Sequence, residues 1–450
     1  MKASRPRSPH PHQPHQARRN GRAPEHGLPE SEIIYDWNRV QSRPRPTHAF
    51  DLFDETLRDG LQSPSVTDPP LEDKLEILEL MHSLGIRSAD IGLPGAGKRA
   101  FDDVVAMCRY IQKRKLKVSP GAAARTVLAD IKPVAEAQQR SGQKLVLYTF
   151  IGSSPIRQFA EDWDVGFIIR TSVEAIDFAV KEGLEVAYVT EDTVRSAPAN
   201  LDPIFRAAVE HGASRLVLCD TVGHATPDGA RALVTWARGL LAGIGAGNVK
   251  LEWHGHNDRG LAVPNALAAL EAGAQRLHGC GLGVGERVGN TSMDQLLLNL
   301  KLLGWFDHDL SKLVPYVQKV SQACRIPVPV NYPLSGSDAF RTATGVHAAA
   351  IIKAQKRGDT WLADRVYSGV PAGEFGKHQQ IEIGHMSGMS NVKYWLEKRG
   401  IPCDEALCND ILQRAKTCHW TLKDEEILEV VASYGLLPRS PVLKGKRISS

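Results

Sequence analysis

The sequence predicts an α/β protein with a parallel (β/α)8 TIM barrel and a C-terminal helical subdomain. Eight short apolar runs rich in β-branched residues recur between residues 48 and 283, and segments with helical spacing separate them. A right-handed βα repeat of that number closes naturally into a barrel. An open doubly wound sheet is the alternative, but the sequence lacks the Gly-rich dinucleotide turn expected after its first strand.

The elements follow in chain order. The predicted strands are 48–53, 88–93, 117–123, 144–152, 185–190, 215–221, 249–255 and 274–283. Between the first two, the stretch LEDKLEILELMHSLG carries apolar residues at Leu71, Leu75, Leu78 and Leu84, as one face of a helix requires. We therefore assign residues 47–308 to a catalytic barrel.

The composition changes on both sides of the barrel. Residues 1–46 begin with a stretch rich in Pro, His, Arg and Gln, which predicts a disordered basic tail. Residues 309–440 contain helical patterns and few strand signals, so we expect a helical subdomain that covers the active site. A short tail, 441–450, completes the domain assignment.

Composition also excludes several classes of function. The net charge of +4 comes largely from the tail, and no aromatic residue lies between the arginines of residues 1–27, so no nucleic-acid partner is predicted. No apolar run approaches the roughly 20 residues that a membrane span needs, and the N-terminus lacks a signal-peptide core. The seven cysteines form no CxxC pair. We expect a cytoplasmic protein without a membrane partner.

Polar side chains follow several predicted strands, at the end of a barrel where βα loops carry catalytic groups. Because the carboxyl ends of parallel strands meet at one mouth, we expect these residues to lie together. They are Arg58 and Asp59 after the first strand, Glu191 and Asp192 after the fifth, Asp220 and Thr221 after the sixth, 254–258 after the seventh, and Glu286, Arg287 and Asn290 after the eighth.

The spacing of His254 and His256 favours a metal site. Residues two apart on an extended strand face the same side, so both imidazoles can hold one cation. Asp59 and Asn290 add a carboxylate and an amide from neighbouring strand ends. Such a donor set with open positions favours Mg²⁺, Mn²⁺, Co²⁺ or Zn²⁺ over a closed structural site. A hydrogen-bonded histidine pair without metal is the alternative.

Three stretches in the same order carry a resemblance: DETLRDGLQSP, HGHNDRGLAVPNALAALEAGA and GLGVGERVGN. They resemble signatures of the 2-isopropylmalate and homocitrate synthases, the alkylmalate synthase family of metal-dependent TIM-barrel Claisen enzymes. The similarity covers roughly residues 48–400. It implies that Asp59, His254, His256 and Asn290 bind a divalent metal and that Arg58 holds the keto oxygen of the substrate beside it.

The resemblance implies further catalytic residues. The segment VTED is similar to the family motif with a catalytic glutamate, here Glu191. The segments SGSDAFRTATGVHAAAIIK and RVYSGVPAGEFGK resemble those with an active-site histidine and its companion tyrosine, here His347 and Tyr367. Packing roles are the alternatives for these two. Thr221 is expected to bind substrate.

The reaction implied by the resemblance is a Claisen condensation. A base removes a proton from the methyl group of the co-substrate acetyl-CoA, the carbanion attacks the keto carbon of a 2-oxo acid, and water hydrolyses the thioester. A 2-substituted malate and CoA leave, so we expect an acyltransferase of the alkylmalate synthase type, as a homodimer. A hydroxymethylglutaryl-CoA lyase-like enzyme and a metal-bound scaffold are the alternatives. Such lyases use a cysteine in a mobile Gly-rich loop, whereas Cys280 precedes GLGVGERVGN.

Departures from the family predict the side chain of the 2-oxo acid. Tyr148 stands for the usual histidine on the fourth strand, Val189 stands for a serine, and Lys98 and Arg99 occupy a loop that usually has small or acidic residues. We therefore expect Tyr148, Lys98 and Arg99 to bind substrate. Two cations favour an anionic acid, phosphinopyruvate or phosphonopyruvate, as in the phosphinomethylmalate-type synthases of antibiotic biosynthesis.

The alternatives for the acid are 2-oxoisovalerate, used by 2-isopropylmalate synthase, and 2-oxoglutarate, used by homocitrate synthase. Isopropylmalate synthases commonly carry a regulatory C-terminal domain, and the sequence printed here stops near residue 450. The expectation from the sequence is therefore an enzyme without feedback by leucine or lysine.

Overall fold

The structure, a computed structural model, describes residues 27–39 and 45–436. Most of the predicted basic tail 1–46 and all of the predicted tail 441–450 lie outside the described residues. In the first described range the chain forms helix α1 (Glu30–Ile33) and a 3-10 helix (Trp37–Arg39). No helix among the described residues is long and apolar enough to cross a membrane.

Eight parallel strands close into a barrel in chain order, and the last strand pairs with the first. This confirms the predicted fold class. The strands are β1 (Asp51–Asp54), β2 (Ser88–Asp90), β3 (Ser119–Arg125), β4 (Val146–Gly152), β5 (Glu185–Glu191), β6 (Arg215–Asp220), β7 (Lys250–Gly255) and β8 (Arg276–Gly279). Their bounds differ by a few residues from the predicted ones, most at β8, because a 3-10 turn over Gly281–Gly283 ends the eighth run early.

Helices surround the strands. They are α2 (Leu71–Ser83), α3 (Lys98–Arg114), α4 (Leu128–Ser141), α5 (Pro155–Glu161), α6 (Val165–Lys181), α7 (Pro198–Glu210), α8 (Pro227–Gly243), α9 (Ala262–Ala272) and α10 (Met293–Leu302). Local sequence fixes their ends: α8 begins with Pro227, and the hydroxyl of Thr226 accepts a hydrogen bond from the Gly229 amide at 3.3 Å. Except for α5, which has no buried residue, each helix buries its apolar face against the outside of the barrel.

The inside of the barrel has its own composition. Alternate residues of each strand face inward, and an apolar group that includes Phe53, Tyr148, Val217 and Cys219 packs there, separately from the core under the helices. Charged side chains occupy other inward positions, among them the buried Glu252. The interior is therefore partly apolar and partly ionic, and the ionic part lies along β1, β6, β7 and β8.

The region after the barrel is helical, as predicted. It contains α11 (Leu313–Cys324), α12 (Gly345–Lys356), α13 (Thr360–Arg365), α14 (Met389–Lys398), α15 (Glu405–Thr417) and α16 (Asp424–Ser433), with the short parallel pair β9 (Arg341–Thr342) and β10 (Gln380–Ile381). Helix α11 shares the barrel core, whereas α12 with α13 and α14 with α15 and α16 form smaller apolar clusters of their own.

A buried hydrogen-bond group connects α11 to the catalytic end of the barrel. The Tyr316 hydroxyl donates to the Asp54 carboxylate and lies 3.2 Å from the Thr56 hydroxyl. The Thr56 hydroxyl in turn accepts a hydrogen bond from the Gly281 amide at 2.8 Å. Burial raises the pKa of Asp54 to about 6, although its hydrogen bonds oppose the shift. Tyr316 therefore fixes the end of β1 relative to the loop that follows β8.

We predict that Tyr316→Phe lowers the free energy of unfolding by ~1–3 kcal/mol, because the buried Asp54 loses a hydrogen-bond donor. Urea denaturation measures the change. The control is Tyr110→Phe on α3, whose hydroxyl bonds Glu79 at 2.6 Å in a less buried place, and its expected effect stays within about 0.5 kcal/mol. Equal losses in the two variants would contradict the assignment.

Candidate active site

The four predicted metal ligands meet at the C-terminal mouth of the barrel. Asp59, His254 and His256 each offer one ligand atom, and these atoms lie within 4.8 Å of one another. Asn290 joins them, since its amide nitrogen donates to Asp59 Oδ2 at 2.6 Å. All four side chains are buried. We refer to these four residues as the ligand cluster.

Backbone pairing places the cluster. His254 lies near the end of β7, and just beyond the strand His256 forms an isolated β-bridge with Asn290. The loop GLGVGERVGN reaches this bridge only because it contains glycines: a Cβ on Gly285 would collide with Asn290 Oδ1, and one on Gly289 would collide with the Gly283 carbonyl oxygen. The loop sequence therefore serves close backbone approach at the ligand cluster.

The unpaired atoms of the cluster fit a cation. Asn290 Oδ1 and His256 Nδ1 are buried and have no hydrogen-bond partner, which is costly for polar atoms unless something else satisfies them. His254 Nδ1 lies 2.7 Å from Glu55 Oε2, so its Nε2 is left for another ligand. Two imidazoles, a carboxylate and an amide oxygen are donors that a divalent metal accepts.

Arg58 lies beside the cluster and is surrounded by carboxylates. Its Nε donates to Asp90 Oδ2 at 2.7 Å and its Nη1 donates to Asp59 Oδ1 at 2.6 Å, while Nη2 lies 3.7 Å from Glu55 Oε1. Burial alone would lower the pKa of Arg58, but the three carboxylates outweigh it and raise the pKa. The charges gathered behind β1 therefore compensate one another.

Two further predicted residues lie at the same mouth. Glu191 is the last residue of β5 and is half-buried. Burial raises the pKa of Glu191, and the charges of Arg157 and Arg58 oppose that shift. Thr221 follows β6, and its hydroxyl accepts the Asp192 amide at 2.8 Å.

Comparison with known proteins agrees with this geometry. A family model described as HMGL-like matches residues 49–320. The chain belongs to the HMGL-like family. Homocitrate synthase AksA from Methanopyrus kandleri is 31% identical over 373 residues, which cover 81% of this chain and 86% of that protein. A probable 2-isopropylmalate synthase from the same organism is 30% identical over 368 residues, covering 81% and 69%.

The fold agrees with solved structures. Hydroxymethylglutaryl-CoA lyase from Pseudomonas aeruginosa superposes with a TM-score of 0.51 at 20% identity, covering 61% of this chain and 92% of that chain. The family relationship to alkylmalate synthases predicted from the three sequence motifs is confirmed, and with it the prediction of an enzyme.

Three predicted substrate-binding residues of this HMGL-like chain lie away from the cluster. Lys98 and Arg99 occupy the first turn of α3, where they are largely exposed and form ion pairs with Asp102 and Asp68. Tyr148 is buried inside the barrel. Lys98 and Arg99 are exposed because the first turn of α3 presents both side chains to the outer surface of the helix.

The Tyr148 side chain points into the lower barrel. Its ring stacks on Phe53 with centroids 4.3 Å apart. Its hydroxyl accepts a hydrogen bond from Arg276 at 2.7 Å and donates one to Glu252 at 3.1 Å. Tyr148 precedes the end of β4 at Gly152 by several residues, so it lies deeper in the interior than the ligand cluster.

His347 and Tyr367 lie on the helical region and contact each other. Their rings stack with centroids 4.1 Å apart, and both side chains are exposed. Within 27–39 and 45–436, neither ring makes a hydrogen bond or ion pair with the ligand cluster. The pairing of the two residues agrees with their predicted companionship, and their catalytic roles stay predictions.

Sequence reasoning missed three buried groups under the cluster. Glu55 accepts from His254 and lies 3.0 Å from His278 Nδ1, and His278 Nε2 lies 2.9 Å from Glu252. Burial lowers the pKa of His278, but the two carboxylates outweigh it and raise the pKa to about 9. The sequence does contain one signal for these residues. In E-x-H-x-H on β7 and R-x-H on β8, charged or titratable residues two apart share one face of the strand, the inward face.

We predict that Gly285→Ala abolishes high-affinity Mn²⁺ binding, because the added Cβ takes the space of Asn290 Oδ1. Titration of the protein with Mn²⁺, followed by the electron paramagnetic resonance of the free ion, measures the affinity. Gly97→Ala is the matched control: Gly97 also has a positive φ of 140°, but no atom lies within 4 Å of its Cβ position. Parent-like affinity in Gly285→Ala would contradict the ligand role of Asn290.

Proposed function

We propose that this chain condenses acetyl-CoA with a 2-oxo acid and water to give a 2-substituted malate and CoA. The observation that carries the proposal is the ligand cluster with its unpaired Asn290 oxygen at the barrel mouth, directly beside Arg58. Relatives named homocitrate synthase and 2-isopropylmalate synthase support it.

Asp59, His254, His256 and Asn290 would hold a divalent cation, with Mn²⁺ as our first choice ahead of Co²⁺, Mg²⁺ and Zn²⁺. Bound there, the cation supplies Lewis-acid polarisation of the keto group. The family model and the donor set support the site. Every other step in the proposed reaction falls to side chains of the chain itself.

Arg58 stabilises the negative charge that develops on the keto oxygen. Its Nε and Nη1 are fixed by Asp90 and Asp59, whereas Nη2 makes no hydrogen bond to any described residue. The free N–H groups of Nη2 therefore remain for the substrate. Because the guanidinium is held before the reaction, it needs no reorganisation when charge appears.

Glu191 is the proposed base. It takes a proton from the acetyl methyl group, and the carbanion then adds to the keto carbon. The resulting alkoxide takes up a proton, and hydrolysis of the thioester by water releases CoA. The raised pKa that burial gives Glu191 makes its carboxylate a stronger base than an exposed glutamate.

We also propose that His347 and Tyr367 act in catalysis and that the chain forms a homodimer. Both rings are exposed and stacked, so a second copy of the chain or a movement of the helical region has to bring them to a barrel mouth if they act in catalysis. Their exposure supports the homodimer, because an exposed histidine and tyrosine pair is available to a neighbouring subunit.

We predict that the chain releases CoA from acetyl-CoA when Mn²⁺ and a suitable 2-oxo acid are present. Thiol release followed with a disulfide reagent measures the rate. Excess chelator should abolish it, added Mn²⁺ or Co²⁺ should restore it, and His254→Ala should resist restoration because it lacks a ligand.

Two outcomes would contradict the proposed reaction. A full rate in excess chelator would exclude the cation. Cleavage of hydroxymethylglutaryl-CoA without condensation on any of phosphinopyruvate, phosphonopyruvate, 2-oxoisovalerate and 2-oxoglutarate would favour the lyase alternative.

For the side chain of the acid we propose an anionic group, as in phosphinopyruvate or phosphonopyruvate. Lys98 pairs with Asp102 on α3 and Arg99 pairs with Asp68, which precedes α2, so we assign the cation to Arg157 after β4. The Arg157 stem packs over Gly152 at the strand end, and its charge acts on Glu191. Arg157 Nη2 lies 3.0 Å from Oε1 of its partner Glu161, whose side chain is half-exposed. Such an exposed ion pair is weak, and an anionic substrate can replace Glu161.

An acid with an uncharged side chain, such as 2-oxoisovalerate, is the second candidate, and one observation favours it. The inward side chains next to Glu191 are apolar: Val189 is partly exposed, and Cys219 lies close enough to Glu191 and Arg58 for their charges to affect its pKa. A branched aliphatic group gains from such a surface, whereas an anion does not.

We predict that Arg157→Gln lowers kcat/KM for phosphonopyruvate by at least about tenfold, the equivalent of ~1.4 kcal/mol. The same substitution should leave kcat/KM for 2-oxoisovalerate unchanged. Steady-state kinetics on both acids give the comparison. Lys98→Gln is the control and should change neither. If 2-oxoisovalerate is the better substrate of the parent and Arg157→Gln matches the parent on both acids, the anionic proposal is wrong.

A further inference from the structure

A continuous line of buried hydrogen bonds runs from the floor of the barrel to the ligand cluster. Glu252 Oε2 lies 2.9 Å from His278 Nε2, Glu55 Oε1 lies 3.0 Å from His278 Nδ1, and Glu55 Oε2 lies 2.7 Å from His254 Nδ1. Glu252, His278 and Glu55 are each at most 3% exposed. We call these three residues the Glu–His–Glu column.

Donor and acceptor counting fixes the protons in the column. An ionised carboxylate only accepts, so both ring nitrogens that face Glu55 carry hydrogen. His278 faces a carboxylate with each nitrogen and therefore donates from both, as an imidazolium. His254 donates from Nδ1, which leaves the lone pair of Nε2 directed to the other ligands.

The lower end of the column is anchored by four strands. Arg215 donates to Glu252 Oε1 at 2.9 Å, and the Tyr148 hydroxyl donates to Glu252 Oε2 at 3.1 Å. Arg276 approaches Glu252 at 3.3 Å and forms two bonds of 2.7 Å to Asp51. Glu252 on β7 is thereby tied to β4, β6, β8 and β1, so the carboxylate that faces His278 has little freedom.

We propose that the Glu–His–Glu column is a positioning unit that sets the metal affinity of the ligand cluster, and that Glu252 acts on a cation it cannot touch. Glu252 holds His278, His278 holds Glu55, and Glu55 fixes the tautomer and orientation of the ligand His254. The inference rests on the metal site of the proposed function and on no assumption about the acid or acetyl-CoA.

Glu252 can affect the cation over this distance because each residue of the column has only one arrangement that satisfies its hydrogen-bond partners. If Glu252 becomes an amide, His278 loses one of two carboxylates, and Glu55 is no longer held from below. The Glu55 carboxylate then holds the N–H group at Nδ1 of His254 less firmly, so the tautomer and orientation of the His254 ring are less well fixed. Outer partners of metal-binding histidines commonly change affinity by roughly 10–100-fold.

The test measures Mn²⁺ affinity of the full chain by electron paramagnetic resonance of the free ion, without acetyl-CoA or acid. Glu252→Gln should weaken Mn²⁺ binding by roughly tenfold, the lower end of the range for outer partners. Glu55→Asp keeps the charge but cannot reach His254, so it should weaken binding at least as much. The double variant should lose less than the sum of the two losses in binding free energy.

The control is Asp130→Asn, which removes a buried carboxylate on α4 that bonds Arg125 and belongs neither to the ligand cluster nor to the column. Its Mn²⁺ affinity should match the parent. Affinity of Glu252→Gln and Glu55→Asp within twofold of the parent, or tighter, would overturn the proposal. If Glu252→Gln does not fold, Glu55→Asp and His278→Gln decide it by the same criterion.

The readout separates this inference from the proposed function. A chain that binds Mn²⁺ and responds to Glu252→Gln but releases no CoA supports the column and contradicts the condensation. A parent chain that binds neither Mn²⁺ nor Co²⁺ overturns both.

Discussion

Mutual compensation of buried charges is the constraint on which both ends of this barrel depend. An isolated charge in the interior would cost several kcal/mol, yet Glu252, Arg276, Glu55 and Arg58 all lie inside or at the mouth. Each is acceptable only because groups of opposite charge surround it, and at least one of these groups comes from another strand. The ion pairs therefore fix the relative positions of β1, β7 and β8, and those positions bring the ligand cluster together.

The barrel and its four candidate ligands could be predicted because both depend on local patterns. Strand and helix periods determine the fold, and strand-end location with H-x-H spacing indicates the cluster. The partners of Glu55 could not be found this way. His254 and His278 are separated from it by 199 and 223 residues, and alternation along a strand shows which residues share a face but not which of them pair across the barrel.

Direction, rather than proximity in sequence, explains the residues that do not lie at the cluster. Lys98 and Arg99 follow β2 closely, but they begin α3, and Asp102 one turn later meets Lys98 on the helix surface. Tyr148 has the correct inward parity but lies too deep in β4, where Arg276 and Glu252 use its hydroxyl. A pattern of spacing gives the face of a residue but not its depth or its competing partners.

Under the proposed function the mouth has two parts. The residues that would meet the cation lie after β1, at the end of β7 and in the loop after β8, and the buried column under them leaves little room for change. Under the proposed function the acid meets Val189 and Arg157, near the ends of β4 and β5, and both residues are partly exposed. Neither residue belongs to the ligand cluster or to the column under it. Relatives of about 30% identity to this chain carry the names of different synthases, and under the proposed function the choice of acid falls to residues near the ends of β4 and β5.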